Sequence, residues 1–228
     1  FLFIIVLGGG YTIFKNPSYE IVDITEALKI TSLTLKENQE IITFSSKNPF
    51  NFYEIIHNLN ELPDQEVFGI LTLPEKEGVF PLIIGAAGSH GWADHHYGYL
   101  KRYLDMGIGV LSLHSFKSRT VESTVGKQLS VTMAMMIYDA FMALETLSQD
   151  ARIDPNHIGI TGWSLGGGVA LFSAWKPVQT IISPDYTFAA HLPIYPPCMV
   201  KPEIMEFTDA PIHILIGELD NWVPAQPC

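Results

Sequence analysis

Ser164 occupies a sequence pattern that could make it a nucleophile. It is the middle residue of the stretch 162–166, GWSLG, which follows the apolar run 158–161 and precedes the small-residue segment 167–171. A strand, a sharp turn and a helix in this order hold the serine at the tip of the turn, so its hydroxyl projects above the edge of a sheet. Glycine fits the first and last positions because the chain comes close to itself there. The pattern predicts a serine that attacks a carbonyl carbon; the alternative is a glycine-rich connection that merely contains a serine.

The negative charge that develops during such an attack needs hydrogen-bond donors. One predicted donor is the N–H of Leu165, because the helix that begins there directs its first amides toward the serine. The second donor is expected in the loop 86–91, AAGSHG, which follows an earlier apolar run and whose small residues let the backbone approach a carbonyl oxygen. We predict the N–H of Ser89, with Gly88 and His90 as alternatives; an ordinary turn is the other interpretation of this loop.

A carboxylate for the same site is predicted in the loop 217–224, GELDNWVP. In enzymes with this strand–turn–helix nucleophile, the chain order is serine, then acid, then histidine. Asp220 fits this order, and Glu218 is the second choice because either carboxylate can orient a histidine. The alternative is that both are solvated loop acids.

The expected base has no candidate in the usual position of the chain. All eight histidines precede Asp220, and they are His57, His90, His95, His96, His114, His157, His191 and His213. We therefore expect the proton-accepting histidine to lie beyond Cys228 in the full protein; an inactive relative is the alternative.

Alternating strands and helices are predicted to position these residues. Apolar runs indicate strands at 40–45, 67–74, 79–85, 108–113, 158–161, 188–195 and 211–217, and helical spacing indicates helices at 93–106, 127–149 and 165–175. This alternation predicts a mostly parallel sheet after an antiparallel pair of edge strands. Ligands bind such sheets at the carboxyl ends of the strands, where the loops described above lie.

The composition limits the class of protein and its partners. A chain of 228 residues with 47% apolar and 16% charged residues suits one globular domain with a sizeable core. Its net charge of −11 argues against nucleic acid and against anionic membrane surfaces as partners. Two cysteines are too few for a thiolate zinc site, and we predict no metal.

The two ends of the sequence carry expectations of their own. Residues 1–7 are apolar and precede three glycines, which predicts that 1–10 is the remnant of a signal peptide or an N-terminal membrane anchor, with a buried first strand as the alternative. Residues 11–65 are expected to form a lead-in with the first strand. Residues 66–228 are expected to form the main domain, incomplete at its C-terminus. An exported or membrane-anchored protein follows from this interpretation.

The span from Glu66 to Cys228 resembles the dienelactone hydrolase family of α/β hydrolases. The resemblance rests on FPLII at 80–84 with the loop 88–91, SFKSR at 115–119, DPNHIG at 154–159, GWSLGG at 162–167 and GELDNWVPA at 217–225. It implies the α/β-hydrolase fold, a mostly parallel twisted sheet of eight strands with helices on both faces. The last strand and helix and the histidine loop would then lie outside this sequence. The resemblance also implies hydrolysis of an ester or lactone without a cofactor.

Three positions depart from the family's pattern. The family's usual nucleophile is a cysteine where this chain has Ser164, its usual histidine before the loop glycine is Ala87, and the often acidic position before Ser115 is His114. We therefore predict a serine hydrolase that cleaves a small-molecule carboxylic ester or lactone through an acyl-enzyme. The alternatives are a non-catalytic binding protein with this fold, or an acyl peptidase or acyltransferase that uses the same serine.

The resemblance gives three further residues a predicted place. Cys198 follows one strand and Cys228 lies in the loop after the next, so a disulfide between them is geometrically feasible; two separate thiols are the alternative. A disulfide would require an oxidising compartment. Arg119 lies in the loop after the fourth strand and is a candidate for binding a substrate carboxylate; a structurally paired arginine is the alternative.

Overall fold

A computed structural model describes residues 20–31 and 34–228 in full and residues 3–7 and 10–14 as backbone. The N-terminal pair β1 (Phe3–Leu7) and β2 (Gly10–Phe14) is antiparallel and separate from the main sheet. The expectation of a signal-peptide or anchor remnant falls partly on residues 1–2 and 8–9, which lie outside the described residues, and it stays a prediction. No helix in the described part is long and apolar enough to cross a bilayer.

Within the described residues, the main sheet contains six strands in the order β3-β4-β6-β5-β7-β8. Their bounds are β3 (Gln39–Lys47), β4 (Asp64–Thr72), β5 (Phe80–Ala86), β6 (Gly109–Leu113), β7 (Ile153–Trp163) and β8 (Ala190–Ile194). Strand β4 pairs antiparallel with β3 and β6, and the remaining pairs are parallel. The predicted α/β architecture is confirmed, and strand β3 of the lead-in belongs to the same sheet.

Helices cover both faces of the sheet, as predicted. Their bounds are α1 (Ile24–Thr31), α2 (Phe52–His57), α3 (Asp94–Asp105), α4 (Met133–Leu147), α5 (Leu165–Phe172) and α6 (Lys176–Ile182). Successive strand residues point to opposite faces. Leu111 packs in the large cluster with α4 and α5, whereas its neighbour Val110 packs in a second cluster with Leu100 of α3.

Two predicted helices differ in length from the observed ones. Residues 127–130 form turns, with exposed Leu129, so α4 begins only after Thr132, whose hydroxyl oxygen accepts the N–H of Met135 at 3.3 Å. The helix after Ser164 ends at Phe172, and a second helix, α6, begins at Lys176. Pro177 explains the break because proline cannot continue a helix but fits its first turn.

The last predicted strand is present as a short parallel alignment with β8. Residues 211–215 exchange four backbone hydrogen bonds with 191–195, and regular pairing is restricted to two isolated bridges, His191 with Ile212 and Ile194 with Leu215. The loop that carries Asp220 therefore leaves the same edge of the sheet as the loop that carries Ser164.

Two buried histidines make the stability of this fold sensitive to acid. Burial lowers the pKa of His191 to about 4, and burial together with the charge of Lys117 lowers the pKa of His114 to about 3. Both rings are at least 97% buried, and His191 Nδ1 lies 2.9 Å from the carbonyl oxygen of Ala170. Each ring is therefore neutral in the folded protein at pH values where the unfolded chain binds a proton.

We expect the free energy of unfolding to fall as the pH is lowered from about 6.5 toward about 4. Because the folded pKa values lie below the unfolded value, unfolding takes up protons in this window, and each histidine contributes a slope of up to about 1.4 kcal/mol per pH unit. Urea unfolding at pH 7.5, 6.0 and 5.0 at constant ionic strength measures the slope. In the variant His191→Gln, the free energy of unfolding should depend less steeply on pH than in the wild type. A wild-type free energy of unfolding that is equal at pH 7.5 and 5.0 contradicts the expectation.

Candidate active site

Ser164 lies at a sharp turn between β7 and α5. Its backbone has φ 54° and ψ −114°, a conformation that strains any residue other than glycine. Two backbone hydrogen bonds hold the turn: the Ser164 N–H donates to the carbonyl of Ile194 (3.0 Å), and the Gly168 N–H donates to the carbonyl of Ser164 (2.9 Å). Ser164 is half-buried, and its hydroxyl makes no capping hydrogen bond to α5. Strained turns are typical of functional sites.

The glycines on either side of the turn are required by close backbone contacts. A Cβ atom at Gly162 would overlap the carbonyl oxygen of Gly166, and a Cβ atom at Gly166 would overlap that of Ala86. The turn therefore packs against the end of β5 as well as against itself. This close approach is the reason for the glycine spacing in the sequence.

The loop after β5 lies directly beside the turn. A Cβ atom at Gly88 would be 3.6 Å from Ser164 Cβ. The loop is a tight turn closed by the Gly91 N–H, which donates to the Gly88 carbonyl at 2.8 Å, and the Ser89 carbonyl accepts the N–H of Thr124 at 2.9 Å. Within residues 20–31 and 34–228, the N–H groups of Ser89 and Leu165 donate to no acceptor. The N–H of Leu165 follows Ser164 directly in the chain, and the N–H groups of Gly88, Ser89 and His90 in the neighbouring loop are all without an acceptor in the described structure, so each remains a candidate donor.

Asp220 lies at the same edge of the sheet. Its Oδ1 accepts the N–H groups of Trp222 and Val223, both at 2.9 Å, while Oδ2 has no partner among the described residues. Burial raises the pKa of the Tyr195 hydroxyl, and the charges of Tyr99 and Asp220 raise it further. Glu218 is exposed and makes no hydrogen bond in the described structure. Of the two predicted acids, Asp220 has the better-ordered carboxylate.

Two of the histidines near this part of the sheet have partners away from Ser164. The ring of His114 stacks on Phe68 at 5.1 Å, and His96 Nδ1 accepts the N–H of Ala93 at 3.1 Å, which caps α3. Exposed His90 belongs to the loop after β5. In the part of the chain that the structure describes, no histidine is hydrogen-bonded to Ser164 or Asp220. Residues in the same region form no group of three or more histidine, cysteine or acidic side chains suited to a metal ion.

The predicted substrate-binding role of Arg119 is wrong. Its guanidinium forms a bidentate pair with Asp139, with Nη1–Oδ2 and Nη2–Oδ1 distances of 2.8 and 2.9 Å. The three remaining N–H groups donate to Asn48 Oδ1 and to the carbonyl oxygens of Ser115 and Lys47. Every donor of this buried side chain is occupied, so none is free for a substrate.

Sequence reasoning missed the aromatic support of the turn. Trp163, the residue before Ser164, is 1% exposed, and its ring lies 4.6 Å from His96 and 6.1 Å from Trp92. These rings fix the strand end from the α3 side of the sheet. The only signal in the sequence is the large aromatic residue inside the glycine–serine pattern.

A cavity of about 160 Å³ borders the loop after β5. Its lining includes Ala87, Gly91, Trp92, Ser115 and Lys117. Ala87 leaves space where a larger side chain would reduce the volume. The cavity has room for a small chemical group beside the loop after β5.

Cys198 and Cys228 form a disulfide with a Cα–Cα distance of 5.1 Å. From the sequence, a disulfide and two separate thiols were both possible. The bond joins the segment after β8 to the end of the loop that carries Asp220. By the chain-entropy estimate, closing a loop with this 30-residue separation contributes about 3–4 kcal/mol to stability.

Comparisons with known proteins agree with this architecture. The dienelactone hydrolase of Anabaena variabilis is 17% identical, with a TM-score of 0.56 over 79% of this chain and 74% of that one. A dienelactone hydrolase-like promiscuous phosphotriesterase, P91, from metagenomic libraries is 16% identical, with a TM-score of 0.54 over 83% and 73% of the two chains. Est1E of Butyrivibrio proteoclasticus is 15% identical, with a TM-score of 0.51 over 71% and 77%. At these identities the likeness shows the fold.

The family is shown by the sequence itself. No curated protein sequence matches the chain. The sequence model of the dienelactone hydrolase family, however, matches residues 112–227, slightly more than half of the chain. The match includes the turn at Ser164 and the loop of Asp220. This chain therefore belongs to the dienelactone hydrolase family of α/β hydrolases.

Proposed function

We propose that the protein is a serine hydrolase that cleaves the carboxylic ester or lactone of a small molecule through an acyl-enzyme. The observation that carries the proposal is the strained turn at Ser164, which packs against the loop after β5 and has the unbonded N–H of Leu165 next to it in the chain. We propose the N–H of Ser89 in that loop as the second donor. A nucleophile with two preorganised donors is the arrangement that acyl transfer requires.

In the proposed reaction, Ser164 Oγ forms a bond to the carbonyl carbon while a base takes its proton. The carbonyl electron pair moves to the oxygen, where the amides of Leu165 and Ser89 stabilise the charge. Collapse of the intermediate expels the alcohol oxygen, which takes the proton from the base. Water then attacks the acyl-enzyme in the same manner and releases the acid.

The proposed reaction needs a histidine as the base, and none of the described histidines is hydrogen-bonded to Ser164 or Asp220. Asp220 supports such a base, because Oδ1 is used to order the loop while Oδ2 is unpaired and available to accept an imidazole N–H. The carboxylate then fixes the tautomer of the ring and stabilises the imidazolium that forms. The proposed chemistry uses no cofactor.

An acyl peptidase or an acyltransferase would share the attack step and differ only in the leaving or accepting group. The cavity of about 160 Å³ beside the loop after β5 favours a small substrate over a polypeptide. The net charge of −11 disfavours polyanionic partners, nucleic acid among them. We therefore propose a small, uncharged or weakly charged ester or lactone.

The test is to capture the acyl-enzyme. The complete natural protein is mixed with p-nitrophenyl acetate or butyrate, and the reaction is quenched in acid. The protein is then digested, and the masses of the peptides are measured by mass spectrometry. We expect an initial burst of p-nitrophenol and an acyl group on the peptide that contains Ser164. An acyl group on another residue, or no hydrolysis of esters and lactones, contradicts the proposal.

The disulfide also supports an exported or membrane-anchored location, because such bonds persist in oxidising compartments. Fractionation of cells that produce the complete protein tests this part of the proposal. Recovery in the cytosol with both thiols free contradicts it.

A further inference from the structure

We propose that the Cys198–Cys228 disulfide positions Asp220 against the nucleophile turn. The inference rests on the proposed function, in which Asp220 orients the base. The bond connects two segments that carry different parts of the site, and the residues between them include Asp220. The role of the disulfide would be to fix the distance between the Asp220 carboxylate and the turn at Ser164.

The Cys198 end of the bond belongs to the framework of Ser164. Cys198 is 7% exposed and packs in the main core. The two prolines before it lie against α5: a Cβ atom at Gly167 would be 3.2 Å from Pro196 Cα, and one at Gly168 would be 3.1 Å from Pro197 Cγ. Cys198 therefore moves with the helix that begins directly after Ser164.

The Cys228 end belongs to the loop of Asp220, which has few other attachments. At its start, the Leu215 N–H donates to the Pro193 carbonyl (3.0 Å), and the Leu215 carbonyl accepts the N–H of Tyr195 (2.6 Å). After Leu215, the hydrogen bonds of residues 216–227 in the described structure stay within the loop. Cys228 Sγ itself lies 3.9 Å from the Pro196 carbonyl oxygen.

The side chains of the loop give little additional anchorage. Leu219 is 94% exposed and Trp222 is 84% exposed, whereas Val223 is buried at 7% exposure. Among the described residues, the loop is attached by a short strand alignment at its start, by buried Val223 and by the disulfide, which alone ties it covalently to the framework of Ser164. Cutting that bond should therefore increase the motion of the loop. The carboxylate would then leave its position, while Ser164 and the two amides would keep theirs.

The experiment compares the complete natural protein with Cys198→Ala/Cys228→Ala and with wild type reduced by dithiothreitol. For a short p-nitrophenyl ester we expect kcat to fall at least tenfold and KM to change less than twofold, because the oxyanion donors are unchanged. In an Asp220→Ala background, removal of the disulfide should cause no further loss of kcat. Equal losses in both backgrounds would show a general structural role and overturn the inference.

Leu147→Ala is the matched control for lost stability. Leu147 is buried at the C-terminal end of α4, before β7 begins, and so lies at the opposite edge of the sheet from Ser164. Its truncation should lower the melting temperature and leave kcat unchanged. A similar fall of kcat in this variant would attribute the disulfide effect to stability and overturn the inference.

Amide hydrogen exchange separates this inference from the proposed function. On reduction, exchange should increase at Trp222 and Val223, whose N–H groups donate to Asp220, and stay constant at Gly168 in the nucleophile turn. Unchanged exchange at Trp222 and Val223 overturns the positioning role whether or not the protein hydrolyses esters. Absence of ester hydrolysis by the oxidised protein contradicts the proposed function alone.

Discussion

Replacing Ser164 with alanine is expected to lower kcat for ester hydrolysis by about 10⁴- to 10⁶-fold. In the proposed mechanism the hydroxyl oxygen forms the acyl bond, so its loss would leave the amides of Leu165 and Ser89 with no nucleophile to assist. A small residual rate over the uncatalysed reaction is expected, because these donors still stabilise attack by water. Steady-state kinetics with p-nitrophenyl butyrate and the complete protein measure the loss.

The structure of the Ser164→Ala variant should be unchanged, since alanine accepts φ 54° no worse than serine does. Its melting temperature should therefore match that of the wild type. The matched control is Ser148→Ala, at the end of α4, where the hydroxyl donates to the Leu144 carbonyl at 2.7 Å. That variant should keep full activity. Activity of the Ser164→Ala variant above about one hundredth of wild type would contradict the assigned chemistry.

Replacing Asp139 with alanine is expected to destabilise the protein by about 3–5 kcal/mol. Asp139 is fully buried and accepts from Arg119 at both oxygens and from the hydroxyl of Ser46. Without the carboxylate, the guanidinium remains buried with an uncompensated charge, which costs more than the ion pair contributes. Urea unfolding of wild type and variant at pH 7.5 measures the difference.

A double variant distinguishes an unpaired charge from lost packing. Arg119→Met/Asp139→Leu removes both charges and should be less destabilised than Asp139→Ala alone. The surface pair Lys101–Asp105 is the matched control, because both side chains are exposed and Asp105→Ala should cost less than about 1 kcal/mol. Additive losses at Arg119 and Asp139 would show that the two side chains do not depend on each other.

The sequence predicted the nucleophile turn well because its constraints are local. Three features specify the turn: the close approach of Gly162 and Gly166, the apolar strand before them and the small-residue helix after them. All three lie within about a dozen residues, so the local sequence pattern contains them. The strands were predicted for the same reason, since buried parallel strands appear as apolar runs. The alternation of strand and helix predicted a mostly parallel sheet, but it did not predict the order of the strands.

The role of Arg119 could not be predicted because its partners are distant in sequence. Asp139 is 20 residues away and Asn48 is 71 residues away, and nothing in the local sequence shows that they converge. The disulfide was left open for the same reason, because the distance between Cys198 and Cys228 depends on how two loops leave the sheet. Polar residues in the interior depend on tertiary contacts, which hydrophobic periodicity does not encode.

The placement of the four tryptophans gives this site a natural optical readout. Trp163 is buried against the nucleophile turn with Trp92 beside it, Trp175 is buried, and Trp222 is exposed on the loop of Asp220. Indole emission shifts to shorter wavelengths in apolar surroundings, and soluble quenchers reach exposed rings first. Fluorescence of Trp222 can therefore be separated from that of the buried rings by selective quenching. Movements of the loop of Asp220 and of the turn at Ser164 can then be followed in one sample without an added label.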